Sequence, residues 1–534
     1  MARHQLFATK PLSMLLEEAK GENRLRRVLG SVQLTALGVG AIIGAGIFVA
    51  TGEAAHNQAG PALMISYCFA GLTCVFAALC YAEFASMVPV AGSAYTYAYA
   101  TLGQVFAWII GWDLVLEYAV GSATVANGWS SFFQSLLPKV GIHLPEAISK
   151  APIIFDATTG EFVRTNGIVN LPAVIITAIV TAVLVKGIQE SASFNALMVG
   201  VKLAAVLFVI LVGAFFVNPD NWVPFAPYGW GGVVIFGQHV WGETVGGHPV
   251  GMMAGAAIIF FAYIGFDSVS THAEEAKNPS RDVPIGIVAS LIICTVLYIA
   301  VVAVLTGMVK YNQIDPGAGV SMAFSSVGLA WADAIIAIAG VAGITSVLLV
   351  MMLSGPRVFL AMSRDGMVPP SFFGAIHPKF KTPWKTTILI GAGVAIMTGL
   401  LPIGALLQMT NIGTLFAFVV VCTAVIIMRR TNPDAHRPFK CPMVPLIPIL
   451  GILSCLLLMF SLPTANWIRL IGWLLVGLVI YFVYSRHHAV MSLNLAHEVA
   501  AHGASPRGQA VGDPGAPADA PDRPVDTDAD KRNR

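Results

Sequence analysis

The stretch GVGAIIGAGIF, residues 38–48, constrains the fold of this chain most strongly. It lies within an apolar segment long enough to span a bilayer, yet four of its eleven residues are glycine. Glycine weakens a helix by about 1 kcal/mol per residue relative to alanine. Unpaired backbone groups inside a membrane are tolerated only where they line a cavity or are buried in protein. The pattern therefore predicts an interrupted helix whose free N–H and C=O groups face a ligand.

A second interrupted apolar segment, AYIGFDS at 262–268, lies in the later half of the chain. Paired interrupted segments in the two halves of a chain are typical of the binding site of a secondary transporter. The alternative is that the small residues simply allow helices to pack closely. Two matched segments favour transport over this alternative.

The composition indicates an all-α polytopic membrane protein. Of the 534 residues, 56% are hydrophobic and only 11% are charged, whereas a soluble domain has about 25% charged residues. The seven cysteines are scattered without a CxxC pair, so neither a disulfide framework nor a metal site is indicated. We expect no cofactor, no nucleic-acid partner and no enzymatic activity, since no HExxH or Gly-x-Ser-x-Gly motif lies within the apolar segments.

Twelve apolar segments approach the roughly 20 residues that a membrane span needs. They are 33–55, 62–86, 100–130, 168–186, 194–217, 252–272, 285–308, 330–353, 386–402, 408–428, 445–462 and 466–485. With the N-terminus inside, the inner segments hold 24 lysines and arginines and the outer segments hold 5. This bias predicts a multi-pass protein of the cytoplasmic (inner) membrane with both termini in the cytoplasm.

The same pattern divides the chain into three regions. We expect a cytoplasmic N-terminal segment over 1–30, a transmembrane domain over 31–488 and a cytoplasmic tail over 489–534. The tail is rich in Pro, Ala and Asp and has no apolar periodicity from 503 onward, which is typical of a disordered segment.

Four ionisable residues stand out within the predicted spans, where a charge costs at least about 2.5 kcal/mol and marks a functional candidate. Lys202 is a candidate proton carrier, because burial lowers the pKa of a lysine; the alternative is a structural amine bonded to backbone carbonyls. Asp113 and Glu117 are four residues apart and repel each other, and we favour Glu117 as the functional one. Asp267 follows the second interruption and either meets a cationic group of the substrate or ties the helix to its neighbours.

The motifs resemble those of the cationic amino acid transporter family, in its bacterial form, within the amino acid–polyamine–organocation (APC) superfamily. The resemblance covers about residues 27–488. The matching stretches are GVGAIIGAGIFV (38–49), GPALMISYCFAGL (60–72), GWDLVLEYAVGSATVANGW (111–129), FFAYIGFDSVSTHAEEAKNPSRDVPIGI (260–287), GPRVFLAMSRDGMVP (355–369), HPKFKTP (377–383) and RPFKCPMVPLIPILGILSCLLLM (437–459). The first is shared by the whole superfamily, whereas EEAKNPSRDVPIGI and RPFKCP are narrower signals.

The resemblance implies a LeuT-type fold with two inverted repeats of five helices. Repeat one covers about 33–217, repeat two about 252–428, and two peripheral helices about 445–485. Helices one and six would be broken at the midplane, and the substrate would bind at the breaks. The substrate-binding residues that the resemblance implies are Ile42, Ile43, Gly44, Ala45, Gly46, Phe261, Ala262, Tyr263, Ile264 and, as the acid nearest the second break, Asp267.

Within that site, the resemblance implies that the substrate α-carboxylate meets the N–H groups of Ala45 and Gly46, at the positive end of a helix dipole. The α-amino group would meet carbonyls of both breaks, and Phe261 or Tyr263 would gate access from outside. Lys202 would stand where sodium sits in sodium-coupled relatives, which implies coupling to a proton. Thr345 and Ser346 would lie next to Lys202.

One position departs from the family pattern. Animal members carry a glutamate at the start of span three, where this chain has Gln104. A strict preference for cationic substrates therefore does not transfer. The sequence predicts a proton-coupled importer of cationic or small neutral amino acids, and a small accessory membrane subunit is compatible with this prediction. An amino acid or polyamine exchanger is the first alternative, and an amino-acid receptor with a transporter-like fold is the second.

Overall fold

The computed structural model describes residues 7–11, 29–87, 93–156, 161–187, 192–235, 237–245, 248–271 and 276–490. These residues belong to one compact unit, Met1–Leu493, and they are mainly helical. A second unit, Asn494–Arg534, lies outside the described residues. The predicted disorder of the tail from 503 onward falls in that region and stays a prediction.

The helices of the described residues that the text refers to are labelled in chain order. They are α1 Ser31–Ile42, α2 Leu63–Met87, α3 Ser93–Thr101, α4 Gln104–Leu136, α5 Leu171–Lys186, α6 Ala192–Gly213, α7 Met252–Ile259, α8 Ser268–Thr271, α9 Pro279–Met308, α10 Ala330–Arg364, α11 Trp384–Leu400, α12 Ile403–Thr431, α13 Leu446–Phe460 and α14 Thr464–Ile480. Short helical turns connect them at Thr51–Ala54, Glu146–Ser149, Gly319–Ser326, Pro370–Phe373 and Arg486–His488.

Seven helical segments of the described residues are long and apolar enough to cross a membrane. They are Gly46–Met87, Gln104–Val140, Leu197–Phe216, Pro279–Met308, Ala330–Arg364, Ile403–Thr431 and Thr464–His488. Five further apolar helices have 10–17 residues: Ser31–Ile42, Leu171–Lys186, Met252–Tyr263, Trp384–Leu400 and Leu446–Phe460. The chain is therefore a mainly helical, polytopic membrane protein, and the count of twelve spans stays a prediction.

In the part of the chain that the structure describes, six short strands lie in the connections between helices. Strands β1 Ile153–Asp156 and β2 Glu161–Arg164 form one antiparallel hairpin. Strands β3 Val233–Ile235 and β4 Gln238–Trp241 form a second, and β5 Glu243–Val245 and β6 His248–Val250 form a third. The last two hairpins immediately precede α7.

Helix α1 ends within the glycine-rich stretch. Its last backbone bond runs from the N–H of Ile43 to the carbonyl of Val39, and Ile43 is extended, with φ −71° and ψ 106°. A wider helical turn then covers Gly46–Ala50, and the next bond runs from Phe48 N–H to the carbonyl of Gly44. The chain stays helical through Thr51–Ala54 and turns at Gly60, at φ +59°, before α2 begins.

The later interrupted segment also leaves regular helix. Helix α7 tightens into a 3₁₀ turn over Phe260–Tyr263, and Ile264 is extended, with φ −58° and ψ 132°. Gly265 has φ +120°, a conformation that side chains with a Cβ rarely adopt. Helix α8 begins at Ser268, so residues 264–267 form a non-helical connection between the two helices.

Helix α4 runs through the centre of the bundle and packs against α10, α12 and α11. Helix α9 packs against α2 and α1 on the other side of the interrupted segments. Large apolar side chains point outward from α14, among them Ile468, which is 69% exposed. An exposed apolar face of this kind is what a lipid-facing helix presents.

Candidate functional site

The two interruptions meet backbone to backbone. A Cβ added at Gly46 would lie 2.2 Å from the Cα of Ala262, and one added at Gly265 would lie 2.8 Å from the carbonyl oxygen of Ala41. Only glycine permits this approach, because any side chain would collide with main-chain atoms that cannot move aside. The glycines at these two positions therefore bring the free backbone groups of both interruptions to one place.

Backbone carbonyls of the two interruptions converge on the hydroxyl of Tyr298. This residue of α9 is fully buried, and its hydroxyl lies 2.9 Å from the carbonyl oxygen of Ile42 and 3.2 Å from that of Ala262. The two acceptors are 220 residues apart in the chain but share one donor. Sequence reasoning missed Tyr298, although a tyrosine within an apolar run needs a partner for its hydroxyl.

Tyr298 belongs to a packed aromatic cluster with Tyr67 and Tyr263. The ring centroids lie 5.5–6.0 Å apart, with tilted or edge-on geometry. Tyr263 donates its hydroxyl to the carbonyl oxygen of Tyr67 at 2.9 Å, and the hydroxyl of Tyr67 lies 2.7 Å from that of Thr51. Tyr263, a sequence-predicted gate residue, is thus held between α2 and α9 in this conformation.

The other predicted binding residues are buried at the same junction. Ile43, Ala45, Phe261 and Ile264 are each no more than 6% exposed. The carbonyl of Phe261 accepts the N–H of Ile264 at 3.2 Å, which closes the 3₁₀ turn. The first backbone bond after the interruption runs from the N–H of Phe48 to the carbonyl of Gly44. Ala45 and Gly46 lie before Phe48, at the start of this helical segment, where the first N–H groups have no partner within the helix.

Gly44 lies where the first interruption faces α10. A Cβ added there would lie 2.6 Å from a side-chain methyl of Val347. A nearby helix thus closes one side of the junction, and Gly44 has no room for a larger side chain unless Val347 moves.

Lys202 contacts the helix that leads into the first interruption. Its ammonium donates to the carbonyl oxygen of Gly40 at 2.6 Å, and the side chain is 1% exposed. A Cβ added at Gly343 of α10 would lie 3.1 Å from the Lys202 side chain. The lysine of α6 therefore connects α1 with α10 two residues before α1 ends.

Thr345 and Ser346 follow Gly343 on α10 and bond mainly within their own helix. Thr345 donates to the carbonyl of Val341 and accepts from the indole N–H of Trp129 at 2.9 Å. Ser346 donates to the carbonyl of Gly343 at 3.0 Å. Their hydroxyls are thus engaged, while their positions lie within one turn of the place where Lys202 packs.

Three buried carboxyl groups gather on the other side of the junction. Asp113, Glu117 and Asp267 are no more than 5% exposed, and Glu117 lies within electrostatic range of the other two. Tyr118 donates its hydroxyl to Asp267 at 3.2 Å. Within the described part of the chain, both carboxylate oxygens of Asp113 and one of Glu117 have no hydrogen-bond partner. Buried carboxyl groups without partners are costly, which marks this set as a functional candidate.

Asn411 of α12 supports the second interruption from behind. It is fully buried, and its amide donates at 2.8 Å to the carbonyls of both Ala257 and Ile258. These bonds fix the last turn of α7 against α12. The sequence signal was weak, since a single asparagine within an apolar helix is compatible with many roles.

Two helix interruptions in contact, next to a buried lysine and buried carboxyls, define a helical membrane protein of the transport class. The family profile described as "Amino acid permease" matches residues 29–484. The chain therefore belongs to the amino acid permease family and is a membrane transporter rather than an enzyme.

Individual relatives agree with this assignment. The branched-chain amino acid permease BcaP of Bacillus subtilis is 47% identical over 91% of this chain and 99% of its own length. The methylthioribose transporter of the same organism is 43% identical over 91% and 99%. A vacuolar cationic amino acid transporter of Arabidopsis thaliana, number 4, is 37% identical over 79% of this chain and 66% of its own length. The resemblance to the cationic amino acid transporters is thus confirmed at the level of the superfamily.

Proposed function

We propose that this amino acid permease is a proton-coupled importer that works by alternating access. In this proposal the protein has twelve spans arranged as LeuT-type repeats, and helices one and six are broken. It lies in the inner membrane, and both of its termini are in the cytoplasm. The observation that carries the proposal is the contact between the two interruptions, at Gly46 with Ala262 and at Gly265 with Ala41.

The substrate backbone would bind at this contact. Its α-carboxylate would accept from the N–H groups of Ala45 and Gly46, where the helix dipole favours negative charge. Its ammonium would donate to carbonyls of both interruptions, drawn from Ile42, Ile43, Phe261, Ala262 and Ile264. The convergence of two of these carbonyls on the Tyr298 hydroxyl supports this arrangement, because one donor already reaches both.

The gate would be Phe261 rather than Tyr263. The hydroxyl of Tyr263 is bonded to Tyr67 and its ring packs against two other tyrosines. A gate must swing as the substrate enters, and Phe261 carries no polar group that ties it in place. Phe261 is 4% exposed, and in this proposal its buried ring closes access from outside.

The relatives widen the choice of substrate. One is named for branched-chain amino acids, one for methylthioribose and others for cationic amino acids. We propose that the substrate is a small neutral or cationic amino acid and that its side chain points toward the carboxyl group of Asp267. The hydrogen bond that Tyr118 donates to Asp267 already engages this carboxyl group, which favours an uncharged substrate side chain over a cationic one.

The charge of Asp267 provides the test of selectivity. If this carboxylate binds a cationic side chain, Asp267→Asn should weaken uptake of lysine and arginine by about tenfold or more, since a lost bond to a charged group costs about 1.5–3 kcal/mol. Uptake of leucine and alanine should change little. Initial rates of labelled amino acids into proteoliposomes measure both. Equal losses for all four substrates would make Asp267 a structural residue.

Coupling would pass through Lys202. An amine in apolar surroundings prefers to be neutral, and the carbonyl of Gly40 favours the ammonium while α1 and α6 stay together. Opening toward the cytoplasm would separate these helices and release the proton. Glu117 is the second candidate carrier, because one of its oxygens has no partner among the described residues.

An exchanger is the alternative, and the bond from Lys202 to Gly40 is compatible with it. A lysine that keeps its bond to Gly40 throughout the cycle would stay charged and carry no proton. Uptake into proteoliposomes that contain no substrate distinguishes the two. A symporter accumulates label in such liposomes when a pH gradient is imposed, whereas an exchanger takes up label only when unlabelled substrate is present inside.

A further inference from the structure

Arg469 of α14 is a cation without a carboxylate partner among the described residues. Its guanidinium donates to the side-chain oxygen of Asn466 at 3.0 Å, and the side chain is partly buried. The pairs of opposite charge in the described residues all lie elsewhere. Charged groups in low-dielectric surroundings are normally paired, so Arg469 has donors left for an anion that the chain does not supply.

An apolar pocket adjoins this arginine. It has a volume of about 250 Å³ and lies between three helices. Its lining consists of Leu116 from α4, Met409 and Ile412 from α12, and Arg469, Leu470, Gly472, Trp473 and Val476 from α14. A Cβ added at Gly472 would meet nothing within 4 Å, so the space beside this glycine is open.

Helix α14 is anchored on α4 at one wall of the pocket. The indole N–H groups of Trp112 and Trp473 each donate to the other residue's carbonyl, at 3.0 and 3.1 Å, and the two rings stack at 4.5 Å. Trp108 donates to the carbonyl of Gly477 at 2.8 Å. These bonds hold α14 on α4 from Trp473 onward, and Trp473 is itself part of the pocket lining.

The pocket opens toward the apolar exterior of the molecule. Val476, one of its lining residues, is 52% exposed, and Ile468 and Leu475 of the same helix are more than half exposed. Arg469 is the sixth residue of α14, about 7.5 Å along the axis from the first at 1.5 Å per residue. A cation close to a helix end, above an apolar pocket, matches a lipid with a negative headgroup and an acyl chain.

We propose that this pocket, the Arg469 pocket, binds an anionic phospholipid. The lipid phosphate accepts hydrogen bonds from the Arg469 guanidinium, and the upper part of one acyl chain fills the space beside Gly472. Binding there bridges α14 to α4 and α12. Leu116 of the lining precedes Glu117, so the lipid supports the helix that carries this buried acid.

The experiment compares lipids of identical acyl chains in delipidated detergent solution. Phosphatidylglycerol, phosphatidylcholine and inorganic phosphate are titrated separately, and thermal unfolding is followed. We expect phosphatidylglycerol to raise the melting temperature at concentrations at least about tenfold lower than phosphatidylcholine, because its headgroup has a net negative charge, whereas the choline ammonium of phosphatidylcholine offsets the phosphate charge and repels the guanidinium. Inorganic phosphate should have no effect, because it lacks the chain. Equal responses to the two phospholipids would overturn the proposal, and a full response to inorganic phosphate would show an anion site without a lipid.

Two variants localise the effect. Arg469→Gln removes the charge, and Gly472→Leu places a side chain in the open space, where its Cβ would meet nothing within 4 Å, so each should abolish the advantage of phosphatidylglycerol. Gly393→Leu is the matched control, since a Cβ at this glycine of α11 also meets nothing within 4 Å; it should respond as the wild type does. If Arg469→Gln does not fold, Gly472→Leu decides alone. A retained advantage in Gly472→Leu would place the lipid elsewhere.

Discussion

Substitution of Gly46 tests the proposed binding site most directly at the level of a single residue. The Cα of Ala262 leaves no space for a side chain there, since a Cβ would lie 2.2 Å away. Gly46→Val should therefore abolish substrate binding, measured by scintillation proximity with the purified protein. Gly393→Val, at a helical glycine with open space around it, should bind normally. Normal affinity in Gly46→Val would exclude the junction as the binding site.

Substitution of Lys202 distinguishes substrate binding from proton coupling. Lys202→Met keeps the length of the side chain and its packing on Gly343 but removes the donor to Gly40. We expect this variant to retain measurable binding and counterflow and to lose accumulation driven by a pH gradient. Wild-type accumulation in Lys202→Met would assign the proton to another group, with Glu117 the first to examine.

The residues that the sequence could and could not predict differ in one physical respect. The glycine stretch is recognisable because glycine weakens the helix that its apolar segment would otherwise form. Lys202 is recognisable because it places a charge within an apolar segment. Tyr298 and Asn411 act through carbonyls far away in the chain, and that pairing depends on the tertiary fold. The orientation of the Thr345 and Ser346 hydroxyls, each bonded within α10, likewise has no local sequence signal.

At the scale of elements, a buried ion cluster ties α2 to α12 and to the segment that follows it. The carboxylate of Glu83 accepts two bonds from Arg429, at 2.8 and 2.7 Å, and one from Arg437 at 3.2 Å. It also accepts the N–H of Cys441 at 2.8 Å. Sequence analysis assigned no role to Glu83, because the two arginines lie about 350 residues later. The cluster joins a helix of the first half to one of the second.

Glu83→Gln should destabilise the protein strongly. Glu83 is 2% exposed, and its loss leaves two guanidinium groups without their counter-ion. Breaking a buried pair in this way costs about 3–5 kcal/mol, so thermal unfolding in detergent should occur many degrees lower. Glu146→Gln is the control, because its ion pair with Lys150 is more than half exposed and exposed pairs contribute about 1 kcal/mol or less. Equal melting temperatures for the two variants would contradict a structural role for the cluster.

At the scale of the whole molecule, both ends of the described chain meet at Asp365, just after α10. Its carboxylate accepts from Lys10 at 3.0 Å and from Tyr95 at 2.6 Å, while its carbonyl accepts the N–H of Val490 at 3.1 Å. Asp365 thus joins the N-terminal segment, α3, α10 and the end of the helical domain. Sequence analysis predicted a separate N-terminal segment over 1–30 and did not predict this contact. The sequence of a short polar segment does not indicate which part of the fold it packs against.

The central claim is that substrate and proton move together through the junction of the two interruptions. The most direct measurement places the protein in liposomes with a trapped pH indicator and follows labelled amino acid and internal pH at once. With an imposed gradient, acid outside, the account predicts accumulation of a neutral or cationic amino acid, accompanied by faster acidification of the interior only when substrate is present. Accumulation without substrate-dependent acidification, or uptake that requires unlabelled substrate inside, would contradict it.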